Sequence, residues 1–310
     1  MKKKVVMLGS FVADLMSRQK GLPRPGETIM GSYYAVGAGG KGSNQAVAAH
    51  RAGADVVLST KLGRDMFGEM ALDFYAKEGI STEYVFQDEN LATGAALILV
   101  DENTAQNAIV VVPSACMNIL PAEVESLSEA IRNAGVLLVQ LEINLDATFA
   151  AIDIAYRADV PVVLNPAPAG YIPDEVFKKI HVITPNETEA EALTGITVAS
   201  VDDARRAAVV LREKGVDNVV ITLGSRGAFL KTTEYEMVID SICVDAIDTT
   251  GAGDAFNGGL AAAMAEGMEL SEAVKFANCV GALSVTRQGT APAMPHRAEI
   301  EALMQRVYGQ

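Results

Sequence analysis

The sequence predicts an α/β protein: a mainly parallel central sheet with helices on both faces, carrying in addition a small β lid. Three observations lead there. Short apolar, β-branched runs alternate with helical patterning from Ser43 onward, most regularly after Pro121, and such alternation calls for right-handed βαβ crossovers and a parallel sheet covered on both sides. Two stretches, about 11–40 and 92–113, interrupt the alternation with hairpin-like patterning. Half of the 310 residues are hydrophobic, ample for a large buried core.

Taken in order, the β-branched run over 4–9 reads as the first strand. The Gly- and Pro-rich stretch 21–42 has alternating residues inside it and reads as hairpin strands. From Ser43 the pattern turns helical, followed by a strand over 55–60 and a helix over 65–78. Strand-like pieces at 84–87, 94–100 and 107–112 come next, the last two as a hairpin. After Pro121 we expect a helix to about 132, a strand over 136–141, a helix over 146–157, and strands over 160–165 and 181–184. Helices over 187–193 and 202–214, a strand over 219–223 and a hairpin through 229–239 follow. A strand-like stretch at 241–247 then precedes helices near 251–266, 270–285 and 297–307. Both hairpin regions leave the same part of the sheet. They are expected to build a lid over the crevice outside the strand C-termini, where open α/β sheets bind ligands. Residues 1–310 thus read as one α/β unit with lid segments at about 11–40 and 92–113.

Charge and composition narrow the function. With 25 Lys plus Arg against 39 Asp plus Glu, the formal net charge is −14, the wrong sign for a nucleic-acid backbone binder. The longest apolar runs, such as 136–141, are far shorter than the roughly 20 residues a membrane helix needs. Met1 and its three lysines lead directly into the first strand, so we expect no signal peptide and a cytoplasmic protein. The three cysteines, Cys116, Cys243 and Cys279, and the three histidines, His50, His181 and His296, show no metal-ligand spacing. No Gly-x-Ser-x-Gly elbow accompanies the histidines.

The most informative segment is Asp248-Thr249-Thr250-Gly251-Ala252-Gly253-Asp254, which opens a helix of small residues. Its glycines allow close backbone approach, and the free N–H groups and dipole of a helix start can hold an anion. A carboxylate beside an anion site is suited to accept a proton from a hydroxyl attacking a phosphate. An ordinary glycine-rich turn, with Asp254 as a first-turn helix acid, accounts for the same residues. A second segment, Gly37-Ala38-Gly39-Gly40-Lys41-Gly42-Ser43-Asn44-Gln45, formally matches Gly-x-Gly-x-x-Gly. It follows a lid hairpin rather than the first core strand, which speaks against a dinucleotide fingerprint and a nicotinamide dehydrogenase. Nor is it a Walker A loop, because Gly42 stands where Ser or Thr belongs. Exposed amides beside Lys41 and Asn44 suit a polyhydroxylated ligand; a tight turn and helix cap is the plainer reading. Asn165 to Gly170 ends a strand. Thr184-Pro185-Asn186-Glu187-Thr188-Glu189 opens an acidic helix start, on which a carboxylate can hold Mg²⁺ through water or simply cap the helix. In Thr222-Leu223-Gly224-Ser225-Arg226-Gly227 the glycines leave room for a nucleotide against the backbone.

Together these segments resemble the ribokinase, or PfkB, family of ATP-dependent sugar kinases. The likeness runs from Val5 to about Arg306 and includes GAGGKGSNQAVAA at 37–49 and DTTGAGDAFNGG at 248–259. NPAPA, TPNETEAE, ITLGSRG and SVTRQGT place it nearer the ribokinase branch than fructokinases or adenosine kinases. The resemblance implies a ribokinase-like fold and transfer of the ATP γ-phosphoryl group to the 5-hydroxyl of D-ribose. Asp254 would be the general base, with the amides of Gly251, Ala252 and Gly253 stabilising the transferring group. Sugar contacts would come from the position of Val12 and from Asp14, Gly40, Lys41, Gly42, Asn44, Glu142 and Asp254. Nucleotide contacts would come from Asn186, Thr222, Leu223, Gly224, Ser225, Arg226, Gly227, Gly253 and Asn278, with Glu189 on the Mg²⁺ side. A monovalent cation, K⁺, would sit at Asp248, Thr250, Ser284, Arg287, Gly289 and Ala293, mostly on backbone carbonyls. The resemblance also implies a homodimer, since lids in this family commonly pair between subunits, here through the segments near 11–40 and 92–113.

Two departures from the family pattern bear on substrate and assembly. Val12 stands where the family carries an asparagine that hydrogen-bonds the sugar. A 2-hydroxyl facing it loses its partner, whereas 2-deoxyribose meets an apolar surface, and deoxyribokinases also carry an apolar residue at this position. Pro113-Ser114-Ala115-Cys116 replaces a usual Gly-Ala-Asn run. The alternatives to a ribose kinase are a kinase of 2-deoxyribose or another sugar on the same fold, and a catalytically silent sugar-binding regulator.

Overall fold

A computed structural model describes residues 4–104 and 106–309. The expectation placed on Met1, Lys2 and Lys3, that no leader precedes the first strand, falls outside them. The chain begins with β1 (Lys4–Leu8), β2 (Val12–Gln19), β3 (Gly31–Gly39), α1 (Lys41–Arg51), β4 (Val56–Gly63), α2 (Met66–Glu78) and β5 (Ser81–Asp88). β6 (Gly94–Asp101), β7 (Asn107–Val112), α3 (Pro121–Ser126), α4 (Ser128–Arg132), β8 (Ala134–Val139), α5 (Leu145–Arg157) and β9 (Val162–Leu164) follow. Then come α6 (Asp174–Phe177), β10 (Val182–Ile183), α7 (Glu187–Thr194), α8 (Val201–Glu213), β11 (Asn218–Thr222) and β12 (Ala228–Lys231). β13 (Glu236–Ile239), α9 (Ala252–Ala265), α10 (Leu270–Ser284) and α11 (Arg297–Tyr308) complete it.

A nine-stranded sheet runs in the order β13-β12-β11-β10-β9-β8-β1-β4-β5, parallel from β11 through β5, with β12 and β13 antiparallel at one edge. The central strands carry apolar residues on both faces, as a doubly covered sheet requires. Val5 and Met7 of β1 and Val136 and Leu138 of β8 join one core with α1, α2, α9, α10 and α11. Their neighbours Val6, Leu8, Leu137 and Val139 join the other, with α3 through α8. The expected mainly parallel sheet with helices on both faces is what forms. From β1 the chain adds strands to one side, β4 and β5, and later to the other, β8 through β11, so the order reverses between β1 and β8. Crevices at the C-terminal ends of strands flanking such a reversal are where α/β sheets take ligands.

The two interrupting hairpins combine into one four-stranded sheet, β3-β2-β6-β7, whose middle pair β2 and β6 is parallel. Sequence and structure differ in detail. Only β3 arises from the stretch 21–42, and its antiparallel partner β2 lies upstream. Pro23 and Pro25 sit in the intervening loop, where they lack the N–H a ladder needs. The helix expected to about 132 is interrupted at Leu127 into α3 and α4. The stretch 241–247 is not a strand: Ile247 is 71% exposed, and the N–H groups of Ile247 and Asp248 donate to the Val285 carbonyl at 2.8 and 3.2 Å instead of to a ladder. Among the described residues no helix is long and apolar enough to cross a membrane.

Candidate active site

The site begins with two helices of small residues. α1 and α9 lie so close that a Cβ on Gly258 would fall 2.5 Å from the Gln45 carbonyl oxygen. Glycine there lets the two N-termini converge at the C-terminal ends of β1 and β8. α9 opens at Gly251, whose left-handed backbone (φ +78°) side chains adopt only at a cost. The first turn, Ala252-Gly253-Asp254, therefore turns the positive end of the helix dipole to a cleft of about 180 Å³, although the Ala252 N–H donates to the Thr249 carbonyl at 3.3 Å. Lys41, Asn165, Thr184, Asn186, Glu189, Thr222, Gly251, Ala252, Gly253 and Asp254 are among the residues lining it.

Asp254 is buried at the floor, and both of its oxygens are held. Asn44 Nδ2 donates to Oδ2 at 2.9 Å, and Gln45 Nε2 donates to Oδ1 at 2.9 Å. Around it the structure gathers the residues assigned to the sugar. Glu142 accepts from the backbone N–H of Lys41 at 2.9 Å and from the Ser10 hydroxyl. Asp14 on β2 is pushed up to about 6, by burial first and then by the neighbouring Glu142 and Asp254 carboxylates. Burial alone would lower the Lys41 ammonium, yet Asp254, Glu142 and Glu189 together hold it above its usual value. Gly40 and Gly42 flank Lys41 at the start of α1. Asn44 Oδ1 is buried with no hydrogen-bond partner among the described residues, a buried acceptor left for a ligand donor. Val12 is 3% exposed and stands two residues before Asp14 on β2, so both lie on one face of that strand.

On the other side of Asp254, Asn186 caps α7: its Oδ1 accepts from Glu189 N at 2.8 Å, and Glu189 Oε2 accepts from Asn186 N at 2.9 Å. Burial raises the Glu189 carboxyl despite that N–H. Thr222 ends β11 at the cleft. Leu223 is buried, its N–H donating to the Gly227 carbonyl at 2.8 Å, and Gly224 and Ser225 form the exposed turn between them. Arg226 points away, donating to the Ala199 carbonyl and to Glu187. Asn278 does not line the cleft; its Nδ2 donates to the Asp240 carbonyl at 2.9 Å and to Tyr308 Oη at 3.0 Å.

Of the loop candidates for a cation, Asp248 ties Thr250 and Gly289 together. Its oxygens accept from Thr250 N and Gly289 N, each at 3.0 Å, and against the effect of burial these hold its carboxyl below the usual range. The Ser284 hydroxyl donates to Gly281 O, the Arg287 guanidinium to Glu299, and Ala293 N to Thr290 O. A monovalent ion there would have to take main-chain carbonyl oxygens, of which that of Ser284 also accepts from Arg287 N at 3.3 Å. No group of three His, Cys, Asp or Glu side chains is placed to hold a metal among the described residues. Cys116, at the departure from the family run, packs under the start of β2, accepting from Phe11 N at 3.3 Å and lying 3.1 Å from Phe11 O.

Sequence reasoning assigned no role to Gln45, Gln140 or Asn257, or to Asn165 and Thr184 beyond their segments. Gln45, Asn257, Asn165 and Thr184 each stand in a motif segment, at a strand end or within one helical turn of an assigned residue, which is the signal that marks them; Gln140 stands in none of those segments and carries no such signal.

The family model for "pfkB family carbohydrate kinase" matches residues 2–297. A ribokinase of Haemophilus influenzae is 41% identical over 299 residues, 96% of this chain and 97% of that one. A deoxyribokinase of Salmonella typhimurium is 35% identical over 94% of this chain and 95% of its own. Among solved structures, an Arabidopsis thaliana ribokinase complexed with ribose and ATP superposes with a TM-score of 0.91 at 30% identity, over 98% of this chain and 99% of that one. Matched over nearly its whole length in sequence and in fold, this chain belongs to the pfkB family of carbohydrate kinases.

Proposed function

We propose that this carbohydrate kinase transfers the γ-phosphoryl group of ATP to the 5-hydroxyl of D-ribose, with Asp254 as general base. The observation that carries the reading is Asp254 itself: a buried carboxylate, fixed by two amides, at a helix N-terminus between a hydroxyl-binding cluster and a second group of residues suited to a nucleotide. Asp14, Glu142, Lys41 and Asn44 hold the sugar so that its 5-hydroxyl meets Asp254. As that oxygen bonds to the γ-phosphorus and the bond to ADP breaks, the proton passes to Asp254. The N–H groups of Gly251, Ala252 and Gly253 take the charge spread over the phosphoryl oxygens, where positioning and neutralisation supply most of the catalysis. Asn186 and the run Thr222 to Gly227 hold the nucleotide, with Asn278 further out.

Glu189 lines the cleft with one oxygen committed to Asn186, a carboxylate suited to bind Mg²⁺ through water; the ion would neutralise phosphate charge. K⁺ on the carbonyls near Asp248, Thr250, Ser284, Arg287, Gly289 and Ala293 would order the loop before α9. The small sheet serves as a lid that excludes water from ATP, and its exposed strands pair with those of a second copy. The reading places the enzyme in the cytoplasm, where the free thiols stay reduced.

Val12 favours a second reading, 2-deoxyribose as acceptor. Buried beside Asp14, it offers a 2-hydroxyl no partner, although an apolar pocket rejects an added hydroxyl by only about 100-fold. The test is ADP production with MgATP and K⁺ across ribose, 2-deoxyribose, fructose and adenosine, with Asp254→Asn as control. Ribose preferred, with a loss of about 10²–10⁴-fold in Asp254→Asn, supports the first reading. 2-Deoxyribose preferred supports the second. No Asp254-dependent turnover on any sugar overturns both and leaves a silent sugar-binding regulator.

A further inference from the structure

We infer that Gln45 and Gln140 are positioning residues, a polarised pair of buried amides that holds the Asp254 carboxylate in the orientation in which it takes the sugar's proton. This deepens the function proposed above and rests on Asp254 being the base. Gln45 is fully buried and Gln140 is 1% exposed, so water does not compete for their hydrogen bonds. Gln140 Nε2 donates to Gln45 Oε1 at 2.7 Å. That contact fixes the sense of the Gln45 amide, whose nitrogen then donates onward to Asp254 Oδ1 at 2.9 Å and to Asn165 Oδ1 at 3.1 Å. The chain of donors continues through Asn165 Nδ2 to the Thr184 carbonyl (3.1 Å), from Thr184 Oγ1 to Asn257 Oδ1 (2.5 Å), and from Asn257 Nδ2 to the carbonyl of Gly253 (2.8 Å). It therefore returns to the residue before Asp254, so the carboxylate and the helix turn that carries it are held by one network.

An unsatisfied atom shows that packing alone does not explain the arrangement. Gln140 Oε1 is buried without a hydrogen-bond partner among the described residues and lies against Gly9, where an added Cβ would come within 2.2 Å of it. Turning the Gln140 amide over would set its oxygen against Gln45 Oε1. Turning both would set Gln45 Oε1 against the Asp254 carboxylate. The network leaves one carbonyl unpaired and directs the Gln45 amide to the carboxylate, as a buried anion demands, while the Gln140 amide, also 3.2 Å from Met7 Sδ, holds the Gln45 oxygen. An apolar side chain at position 140 would fill the space without that orphan.

The ionisable groups facing Asp254 are Asp14 on β2, Lys41 on α1 and Glu189 on α7, with Glu142 after β8 acting on Asp14 and Lys41, and the test leaves all four in place. kcat and KM for the best acceptor sugar are measured from pH 5.5 to 9.5, with Tm, for the wild type, Asp254→Asn, Gln45→Glu and Gln140→Met. In Gln45→Glu a second carboxyl faces Asp254, and two carboxyls at one site resist ionising together. The acid limb of kcat is expected to move up by at least one pH unit, with kcat at pH 7 at least tenfold lower and KM within threefold. Gln140→Met is expected to lower kcat three- to tenfold with KM and Tm nearly unchanged, and it decides the matter should Gln45→Glu fail to fold. Wild-type kcat and acid limb in both variants, or loss of kcat that only follows a fall in Tm, overturns the inference while leaving Asp254 as base. Wild-type turnover in Asp254→Asn instead overturns the underlying reading, and the inference with it.

Discussion

Two strands of almost interchangeable chemistry meet opposite fates in this molecule. β8, Ala-Gly-Val-Leu-Leu-Val, is buried at every residue, and β7, Asn-Ala-Ile-Val-Val-Val, is exposed at every residue. Composition does not separate them. β8 lies inside a parallel sheet with helices on both faces, whereas β7 is the edge of a four-stranded sheet and carries Ile109, Val110, Val111 and Val112 exposed on both of its faces. An apolar edge strand is a template for pairing with another chain. The lesson is that β-branched runs establish strands, while the crossover helices between them decide which become core. The large sheet positions the chemistry, and the small one offers a surface to be covered.

The comparison can be broken most directly in the core. Leu138→Ala in β8, a fully buried side chain, is expected to lower unfolding stability by about 2–5 kcal/mol, read by denaturant titration; a loss as small as that of a β7 variant would erase the contrast. Asp14, where the small sheet reaches the cleft, should show the reverse sign. Its carboxyl is raised from 3.8 to about 6, so the native state holds this proton more tightly than the unfolded one. The stability it contributes is full below about pH 4 and is lost as pH rises through 6. Asp14→Asn is therefore expected to stabilise the ligand-free protein at pH 7.5 by about 1–3 kcal/mol, with the gain vanishing toward pH 4, while the KM for sugar rises. A pH-independent difference in Tm would remove the electrostatic explanation. Val12→Asn, two residues away, should shift the ribose to 2-deoxyribose ratio of kcat/KM toward ribose by about tenfold; no shift would take Val12 out of the sugar pocket. The smallest effect on the monomer belongs to Ile109→Lys, within about 0.5 kcal/mol. Sedimentation should nonetheless show the proposed self-association lost, and assembly like that of the wild type would take the proposed interface off β7.

Most of the large sheet was legible because its signals are local. β1, β4 and β8 carry β-branched runs on both faces, and α9 and α1 announce themselves by small residues after glycine-rich loops. The stretch 241–247 misled because Ile242, Val244 and Ile247 mimic a strand while no neighbouring strand offers a ladder. β2 was harder to see, since Asp14, Ser17 and Arg18 break its apolar pattern and its partners lie in β3 and β6. At the site, Asp254, Lys41 and Asn186 stand in motifs whose chemistry can be argued from spacing. Gln140 cannot be found in that way. Its relevance depends on a contact with Gln45, 95 positions away in the chain, which only folding creates.

One of the four passages of the chain between the sheets is three residues long, Gly9-Ser10-Phe11, from the end of β1 to the start of β2. Mechanically it is a short axle carrying a long arm. At ~3.3 Å per residue, β2 reaches roughly 26 Å outward, so a ten-degree rotation at the axle would sweep its far end through about 5 Å and displace Val12, next to the pivot, by less than about 1 Å. The gearing lets the outer edge of the small sheet travel widely while the residues nearest the cleft hold their places.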